Sequence, residues 1–175
     1  MKIRKRYVAL GILGIGAAVY LRGKRPEHVI ADLMLELPTR GRSVEQQVQS
    51  LERSGKTLSE RLKTLPDTPQ NREQLRHIIT LERWGTQRLR VFAGAAFEKE
   101  RSSLYRPDEH LEWDELREEF ADARAELLEV VRSLPESQSG EKVEVEHNSF
   151  GPLSKGGWIR YLDTHATFEG RRFRA

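Results

Sequence analysis

The sequence predicts an all-α domain, a four-helix bundle, over residues 42–175. Four stretches in this region repeat apolar residues every three or four positions, which is the spacing of an amphipathic helix with one buried face. Each stretch is bounded by residues that begin or end helices, chiefly Ser, Thr, Pro and Gly. Four such helices bury their apolar faces by packing together, so a bundle is the expected architecture.

The first two helices have the clearest start signals. The first is expected from Ser43 to Leu65, with Ser43 as the N-cap and Gln46 as its capping-box partner. The second is expected from near Thr68 to about Glu100, with Pro69 at the first helical position. Its inner face is predicted to consist of Leu75, Ile78, Ile79, Gly85, Leu89, Phe92 and Ala96.

The second half of the domain supplies two more helices, separated by a loop. The third helix is expected from near Asp108 to just before Pro135. After it, Val143 and Val145 alternate with glutamates, which indicates an extended stretch that is too brief to make a sheet. The fourth helix is expected to open around Leu153–Ser154.

The N-terminal segment differs in character from the rest of the chain. Residues 7–21 form an uncharged, mostly apolar run with basic residues on both sides. A helix that spans a membrane usually needs about 20 apolar residues, but interfacial tyrosines and basic side chains extend its reach. We therefore expect residues 1–25 to hold an apolar helix that anchors the protein in a membrane. A cleaved signal peptide or a disordered extension is the alternative, giving an exported or a cytoplasmic protein.

Between this segment and the bundle, residues 26–41 are expected to be a linker with a short helix inside it. Pro26, Pro38 and Gly41 punctuate the two ends of this stretch.

The distribution of charge argues against nucleic-acid binding. The whole chain has a formal net charge of +3, but residues 1–25 hold seven basic residues and no acidic one. Residues 26–175 therefore carry 23 basic residues against 27 acidic ones, a net charge of −4. A domain that binds phosphates needs a basic surface, and this domain lacks a basic excess. The chain also has no cysteine, which excludes disulfides and zinc–thiolate sites.

Three residues have the chemistry and placement of metal ligands. His165 and Glu169 are four apart on the last helix and project from one face, while His77 lies on or beside the inner face of the second helix. Two imidazoles and a carboxylate suit zinc in an open site, or Fe, Mn or Ni. The spacing leaves a second interpretation open, in which the histidines are hydrogen-bonded core residues and Glu169 pairs with Arg171, Arg172 or Arg88.

Three further residues are candidates for a second shell around this site. Glu73 lies one turn before His77, and Tyr161 lies one turn before His165, each on the same face as its histidine. Either side chain can orient an imidazole through its second nitrogen, and Glu73 is alternatively a ligand itself. His147 precedes a turn and is expected either to cover the mouth of the site or to be a structural loop residue.

Three segments of the chain resemble the DinB/YfiT-like family of metal-binding proteins. They are LRHIITLERW around His77, HNSFGPLSKGGW at 147–158 and HATFE at 165–169. The resemblance implies a four-helix bundle that binds a divalent metal through three histidines. His77 and His165 match two of these, and Glu169 stands where the family has its third histidine.

The resemblance also implies candidate functions. Relatives include metal-dependent hydrolases and transferases that join a low-molecular-weight thiol to an electrophile. Because this chain has no cysteine, the thiol would be a cosubstrate. The alternatives are a non-catalytic, stress-associated bundle with a degenerate metal site that binds a small molecule or a protein, and a membrane-tethered structural protein. Family analogy also suggests a homodimer, and it implies no contact with DNA.

Overall fold

The structure is a computed structural model and describes residues 26–135 and 143–175. The described chain is mostly helical, with one β-hairpin. The elements in chain order are helix α1 (Pro26–Ala31), a π-helical turn (Asp32–Glu36), a 3₁₀ turn (Leu37–Thr39), α2 (Val44–Leu62), α3 (Pro69–Val91), a second 3₁₀ turn (Ser102–Tyr105), α4 (Trp113–Ser133), strands β1 (Glu144–His147) and β2 (Gly151–Ser154), and α5 (Lys155–Gly170).

Three of the four predicted helix starts are confirmed by their caps. Ser43 and Gln46 form the predicted capping box at the start of α2. The Thr68 hydroxyl caps α3, with Pro69 at its first position. The hydroxyl of Ser154 accepts a hydrogen bond from the backbone amide of residue 157 at the start of α5. These hydroxyls satisfy amides that have no partner within their helices, which fixes where each helix begins.

The predicted end of the second helix near residue 100 is wrong, because α3 ends at Val91. Gly94 adopts a left-handed conformation with φ of 97°. The amide of Ala95 donates to the carbonyl of Arg90 at 3.1 Å, and that of Gly94 to Val91 at 3.0 Å, which is the hydrogen-bond pattern of a Schellman cap. Ala96 is consequently exposed and does not line the inner face.

Two other predicted boundaries are also shifted. α2 ends at Leu62, one turn before the expected end at residue 65. α4 begins at Trp113 and not near Asp108, because the Asp108 carboxylate accepts a hydrogen bond from the amide of His110 at 2.8 Å and holds a turn there. Aspartate competes with helical hydrogen bonding in this way when its side chain bonds the backbone two residues on.

The expectation that the stretch around Val145 is too brief for a sheet is wrong. β1 pairs with β2 as a two-stranded antiparallel hairpin, in which Val145 faces Leu153 and His147 faces Gly151. Val145 and Leu153 are buried on the inner face of the hairpin. Burial of this face against the helices gives a two-stranded ribbon the support that it lacks in isolation.

The four long helices pack on one another in a defined set of pairs. α3 packs mainly against α4 and α5, and α2 packs against the same two helices. α2 and α5 run in the same direction, since Ser50 bonds Asp163 at one end and Arg61 bonds the carbonyl of Gly170 at the other. This parallel alignment places the C-terminal halves of α2 and α5 side by side.

The segment before α2 also contributes to the core. Ala31 and Leu35 are buried in the same apolar cluster as Trp158 and Leu51. The Glu36 carboxylate accepts hydrogen bonds from the backbone amide and the hydroxyl of Ser154 at 2.8 and 2.7 Å. Residues 26–41, expected as a linker with a short helix, therefore contain that helix and also pack on the start of α5.

A buried ion pair joins three of the long helices. Arg124 on α4 donates two hydrogen bonds to the carboxylate of Glu82 on α3, one of them at 3.2 Å. It also donates to the carbonyl of Leu51 and the hydroxyl of Ser54 on α2, at 3.0 and 3.2 Å. Burial raises the pKa of Glu82, and the guanidinium of Arg124 opposes that rise.

The expectation of a membrane-anchored protein with a transmembrane helix is corrected here. Within residues 26–135 and 143–175, no helix combines the length and apolar character needed to cross a membrane. The predicted anchor, residues 7–21, and the rest of 1–25 lie outside the described residues.

Removal of one partner of the buried ion pair should destabilise the fold strongly. We expect Arg124→Ala to lower the free energy of unfolding by about 3–5 kcal/mol, because Glu82 is then buried without a counter-charge. Replacement of both, with Glu82→Leu and Arg124→Met, should cost less than Arg124→Ala alone. Urea denaturation measures both values. The control is Arg90→Ala, which breaks an ion pair with a 45% exposed arginine and should cost less than about 1 kcal/mol.

Substitution of Gly85 by a larger residue should destabilise the fold, because α3 and α5 approach each other closely there. A Cβ atom at this position would lie 3.0 Å from Cγ of the buried Leu162 and 2.9 Å from its Cδ1. Helix propensity alone favours alanine over glycine by about 1 kcal/mol. Overpacking costs about 1–3 kcal/mol, so we expect Gly85→Ala to lower stability in thermal or urea unfolding. Increased stability of this variant would contradict the close approach.

Candidate metal centre

The three predicted metal ligands lie together between α3 and α5. His77, His165 and Glu169 each offer one donor atom, and these atoms all lie within 4.8 Å of one another. The two imidazole rings are tilted by 59°, with their centroids 5.1 Å apart. The site is partly buried and lies where α3 and α5 pack against each other.

The geometry of α3 and α5 explains why these residues meet. The two helices are antiparallel: Gln74, near the start of α3, contacts Glu169 near the end of α5, and Trp84, further along α3, contacts Trp158 near the start of α5. His165 precedes Glu169 by one helical turn, so both project from the same face of α5. His77 is one turn after Gln74 and therefore lies opposite them.

Gln74 is a site residue that the sequence analysis missed. Its Nε2 donates a hydrogen bond to Glu169 Oε2 at 2.8 Å and so orients the carboxylate. Gln74 lies three residues before His77, a spacing that places both side chains on one face of a helix. From this spacing the sequence could have placed Gln74 on the same face as His77. Its side chain is uncharged, however, so nothing in the sequence identified it as a partner of the Glu169 carboxylate.

The carboxylate of Glu169 also has a basic partner. Arg172 donates to Glu169 Oε2 at 3.0 Å, and its side chain is 69% exposed, against 12% for Glu169. This ion pair is the feature that the alternative interpretation expected, and among the three arginines considered Arg172 forms it. Arg88 instead donates to the backbone carbonyls of Glu98 and Glu100.

The environment of His165 favours a neutral imidazole. Burial lowers the pKa of His165 to about 4, and the neighbouring His77 adds to this effect, while Glu169 opposes it. An imidazole must be neutral to offer a nitrogen lone pair to a metal ion. His165 is therefore in the protonation state that metal binding requires at neutral pH.

Tyr161 lies beside His165, as its position one turn earlier on α5 predicted. The centroids of the two rings are 5.6 Å apart. Burial raises the pKa of Tyr161, and the nearby carboxylate of Glu169 raises it further. The phenol therefore stays protonated and can act as a hydrogen-bond donor next to the candidate metal centre.

His147 is deeply buried, with only 4% of its surface exposed. Its Nδ1 accepts hydrogen bonds from the backbone amides of Ser149 and Phe150, both at 3.1 Å, so the proton of the neutral ring is assigned to Nε2. Burial lowers the pKa of His147 to about 4. The ring lies in an aromatic cluster with centroid distances of 4.5–5.2 Å to Trp84, Phe150, Trp158 and Tyr161. Which of the two roles considered for His147 it has stays a prediction.

Glu73 lies on the surface and forms an ion pair with Arg106. Its side chain is 59% exposed. The carboxylate is therefore bound to a cation outside the candidate metal centre, while Gln74, the next residue, supplies the hydrogen bond to Glu169. A role of Glu73 as ligand or partner of His77 stays a prediction.

The donor set fits a divalent transition metal. Two imidazoles and one carboxylate from facing helices are a ligand combination found for zinc and for non-haem iron, and three protein ligands leave positions open for water or substrate. The fold and the site together define a helical protein with a candidate metal centre between two of its long helices.

The chain belongs to the DinB superfamily, whose family model matches residues 50–167. This finding confirms the resemblance that the sequence motifs indicated. The match includes His77 and His165 and ends two residues before Glu169. No curated protein and no solved structure gives a match to the chain.

The buried histidines should make the metal-free protein less stable in mild acid. In the unfolded chain a histidine has a pKa of about 6.5, whereas that of His147 is lowered to about 4 in the fold. At a pH between these two pKa values the unfolded state binds more protons than the folded state does. Lowering the pH therefore stabilises the unfolded state relative to the folded state. We expect His147 to contribute a loss of about 3 kcal/mol between pH 7 and pH 4.

Urea denaturation at several pH values in the presence of a chelator measures this loss. His147→Asn keeps an acceptor near the position of Nδ1 for the two amides and does not titrate, so its stability should fall less than that of the native chain over the same range. Equal pH dependence of the two proteins would show that His147 is not held neutral by the fold.

Proposed function

We propose that this DinB-superfamily chain binds a divalent metal ion through His77, His165 and Glu169, and that it acts as a metal-dependent hydrolase or as a transferase of a low-molecular-weight thiol. The observation that carries the proposal is the convergence of the three donor atoms within 4.8 Å, from two facing helices. Membership of a family whose members typically bind metal supports it.

We also propose that the four long helices form a four-helix bundle, with residues 42–175 as its domain. The packing of α2 and α3 against the same two partner helices supports this architecture. A site between facing helices is typical of metal-binding bundles, in which inward-projecting side chains supply the ligands.

The ligand set restricts the metal to ions that accept nitrogen and oxygen donors, namely Zn, Ni, Fe or Mn. When bound in such an open site, the ion supplies Lewis-acid activation of water or of a thiol. Because the chain has no cysteine, the thiol would be a cosubstrate. Family analogy also supports the proposal that two copies of the chain form a homodimer.

The residues around the ligands have separate roles in this proposal. Gln74 holds the Glu169 carboxylate toward the histidines through its hydrogen bond at 2.8 Å. Tyr161, protonated and beside His165, would donate a hydrogen bond to a substrate oxygen. Arg172 competes with a metal ion for Glu169, and its 69% exposed side chain can move into solvent when the ion binds.

The second candidate function is a non-catalytic protein with a degenerate metal site, which acts by ligand or protein binding. The ion pair of Glu169 with Arg172 favours it, because this contact already satisfies the carboxylate without a metal. The two candidates differ in whether the site binds a metal in stoichiometric amount.

Elemental analysis of the full chain after metal supplementation and desalting separates them. We expect about one metal ion per chain, lost in His77→Ala and in Glu169→Ala, because each variant removes one of only three protein ligands. His110→Ala is the matched control, since His110 is 87% exposed and lies outside the site. Absence of bound metal in the native chain would favour the degenerate site.

Two further variants test the role of the last ligand. Glu169→His creates the three-histidine set of the family and should bind Zn²⁺ or Ni²⁺ more tightly than the native chain in a calorimetric titration, because a neutral third imidazole forms no ion pair with Arg172. Arg172→Ala should also bind more tightly, because the competing ion pair is lost. If neither variant raises the affinity, the ion pair between Glu169 and Arg172 does not weaken metal binding.

A further inference from the structure

A groove of about 470 Å³ lies between α2 and α5, on the side of α5 that faces away from the candidate metal centre. Asp163, Ala166, Thr167, Gly170 and Arg171 line it from α5. These positions repeat every three or four residues, on the opposite side of the helix from the pair of metal ligands at 165 and 169. The groove and the metal centre are therefore separate sites on two faces of one helix.

Small side chains explain why the groove exists. From α2 its lining includes Ser50, Ser54 and Thr57, and from α5 it includes Ala166 and Gly170. None of these side chains is long enough to fill the space between the two helices. The resulting volume lies in the range of about 300–1,000 Å³ that is usual for sites of small molecules.

Two cations in the groove have no ionic partner among the described residues. Arg53 has neither an ion pair nor a side-chain hydrogen bond with any residue in the described part of the chain. Arg171 contacts the ring of Phe168 at 5.2 Å and forms no ion pair with the described residues. A third arginine, Arg61, uses its guanidinium to bond the carbonyls of Gly170 and Phe173 at 2.6 and 3.3 Å.

The acid in the groove lining, Asp163, is already hydrogen-bonded. It is buried and accepts a hydrogen bond from the hydroxyl of Ser50 at 2.7 Å. Along α5 it precedes Arg171 by two turns, a distance of about 12 Å. Arg53 lies about one turn beyond Ser50 on the parallel helix α2. The side chains of Arg53 and Arg171 therefore both start further along the groove than the carboxylate of Asp163 does.

The apolar part of the lining lies between these charges. Leu58 and Ala166 are buried side chains that form part of the wall of the groove. A ligand that fits offers an apolar body to this wall and an anionic group to the guanidiniums of Arg53 and Arg171. A carboxylate suits these guanidiniums, because arginine binds carboxylates in a planar, bidentate manner.

We propose that this groove binds a small organic carboxylate, with its carboxylate on Arg53 and Arg171 and its apolar body against Leu58 and Ala166. The proposal does not depend on the function proposed for the metal centre. The charge of Arg53 and Arg171 selects the anion, and the apolar wall selects an organic molecule over an inorganic ion.

Titration of the full chain with octanoate, followed by calorimetry in the presence of a chelator, tests the proposal. Octanamide, which has the same apolar body without the charge, is the matched ligand. We expect octanoate to bind about tenfold or more tightly than octanamide, because hydrogen bonds to a charged partner are about twice as strong as neutral ones. Equal binding of the two ligands, or no binding of octanoate, would overturn the proposal.

Variants locate the binding. In Arg53→Gln with Arg171→Gln the preference for octanoate should disappear, and Arg101→Gln, an exposed arginine outside the groove, should keep it. His77→Ala should also keep it, because the metal centre lies on the other face of α5. Preference that survives loss of both groove arginines, or that is lost in His77→Ala, would place the carboxylate elsewhere and contradict the proposal. Urea denaturation of each variant shows that it remains folded.

Discussion

The buried ion pair between Arg124 and Glu82 is the constraint on which the arrangement of the helices depends. Transfer of two charges from water into the protein interior costs several kcal/mol for each ion, so the pair is tolerated only when every donor and acceptor has a partner. Here the guanidinium bonds the carboxylate, the carbonyl of Leu51 and the hydroxyl of Ser54. A shift of α2, α3 or α4 along its axis would leave one of these groups buried without a partner. The pair therefore fixes the register of three helices.

With α3 held by this pair, its contact with α5 sets the geometry of the candidate metal centre. Gly85 allows the two helices to approach closely, and Leu162 fills the space that a Cβ atom would need. Toward the start of α3, the same interface brings His77 opposite His165 and Glu169. The position of the site thus follows from core packing. The carboxylate of Glu169 already has two partners within the protein, because Gln74 and Arg172 donate hydrogen bonds to it.

α5 supplies residues both to the candidate metal centre and to the groove, because a helix presents different residues on its two sides. His165 and Glu169 face α3, while Asp163, Ala166 and Arg171 line the groove next to α2. On the first side, burial keeps an imidazole neutral and available as a ligand. On the second side, small side chains leave space, and the guanidinium of an arginine without an ionic partner among the described residues lies in it. The proposed metal and carboxylate sites therefore differ in charge preference although one helix supplies residues to both.

The sequence by itself determined the features that depend on local interactions: the helical class, the caps at Ser43, Thr68 and Ser154, and the pairing of His165 with Glu169 on one face. The same pattern placed His77 on or beside the inner face of the second helix, and the resemblance added the family. Gly94 ends α3 because it adopts a left-handed conformation. The amphipathic pattern of the sequence does not show this conformation, so the end of the helix was predicted too late.

Only the tertiary structure decided what depends on distant partners. It paired β1 with β2, turned Glu73 to Arg106 while Gln74 bonds Glu169, and opened the groove between parallel helices. It also corrected the expectation of a transmembrane helix for the described residues. The physical reason is that caps and periodicity act within one or two turns, whereas strand pairing, ion pairing and cavities form between residues that the chain brings together only when it folds.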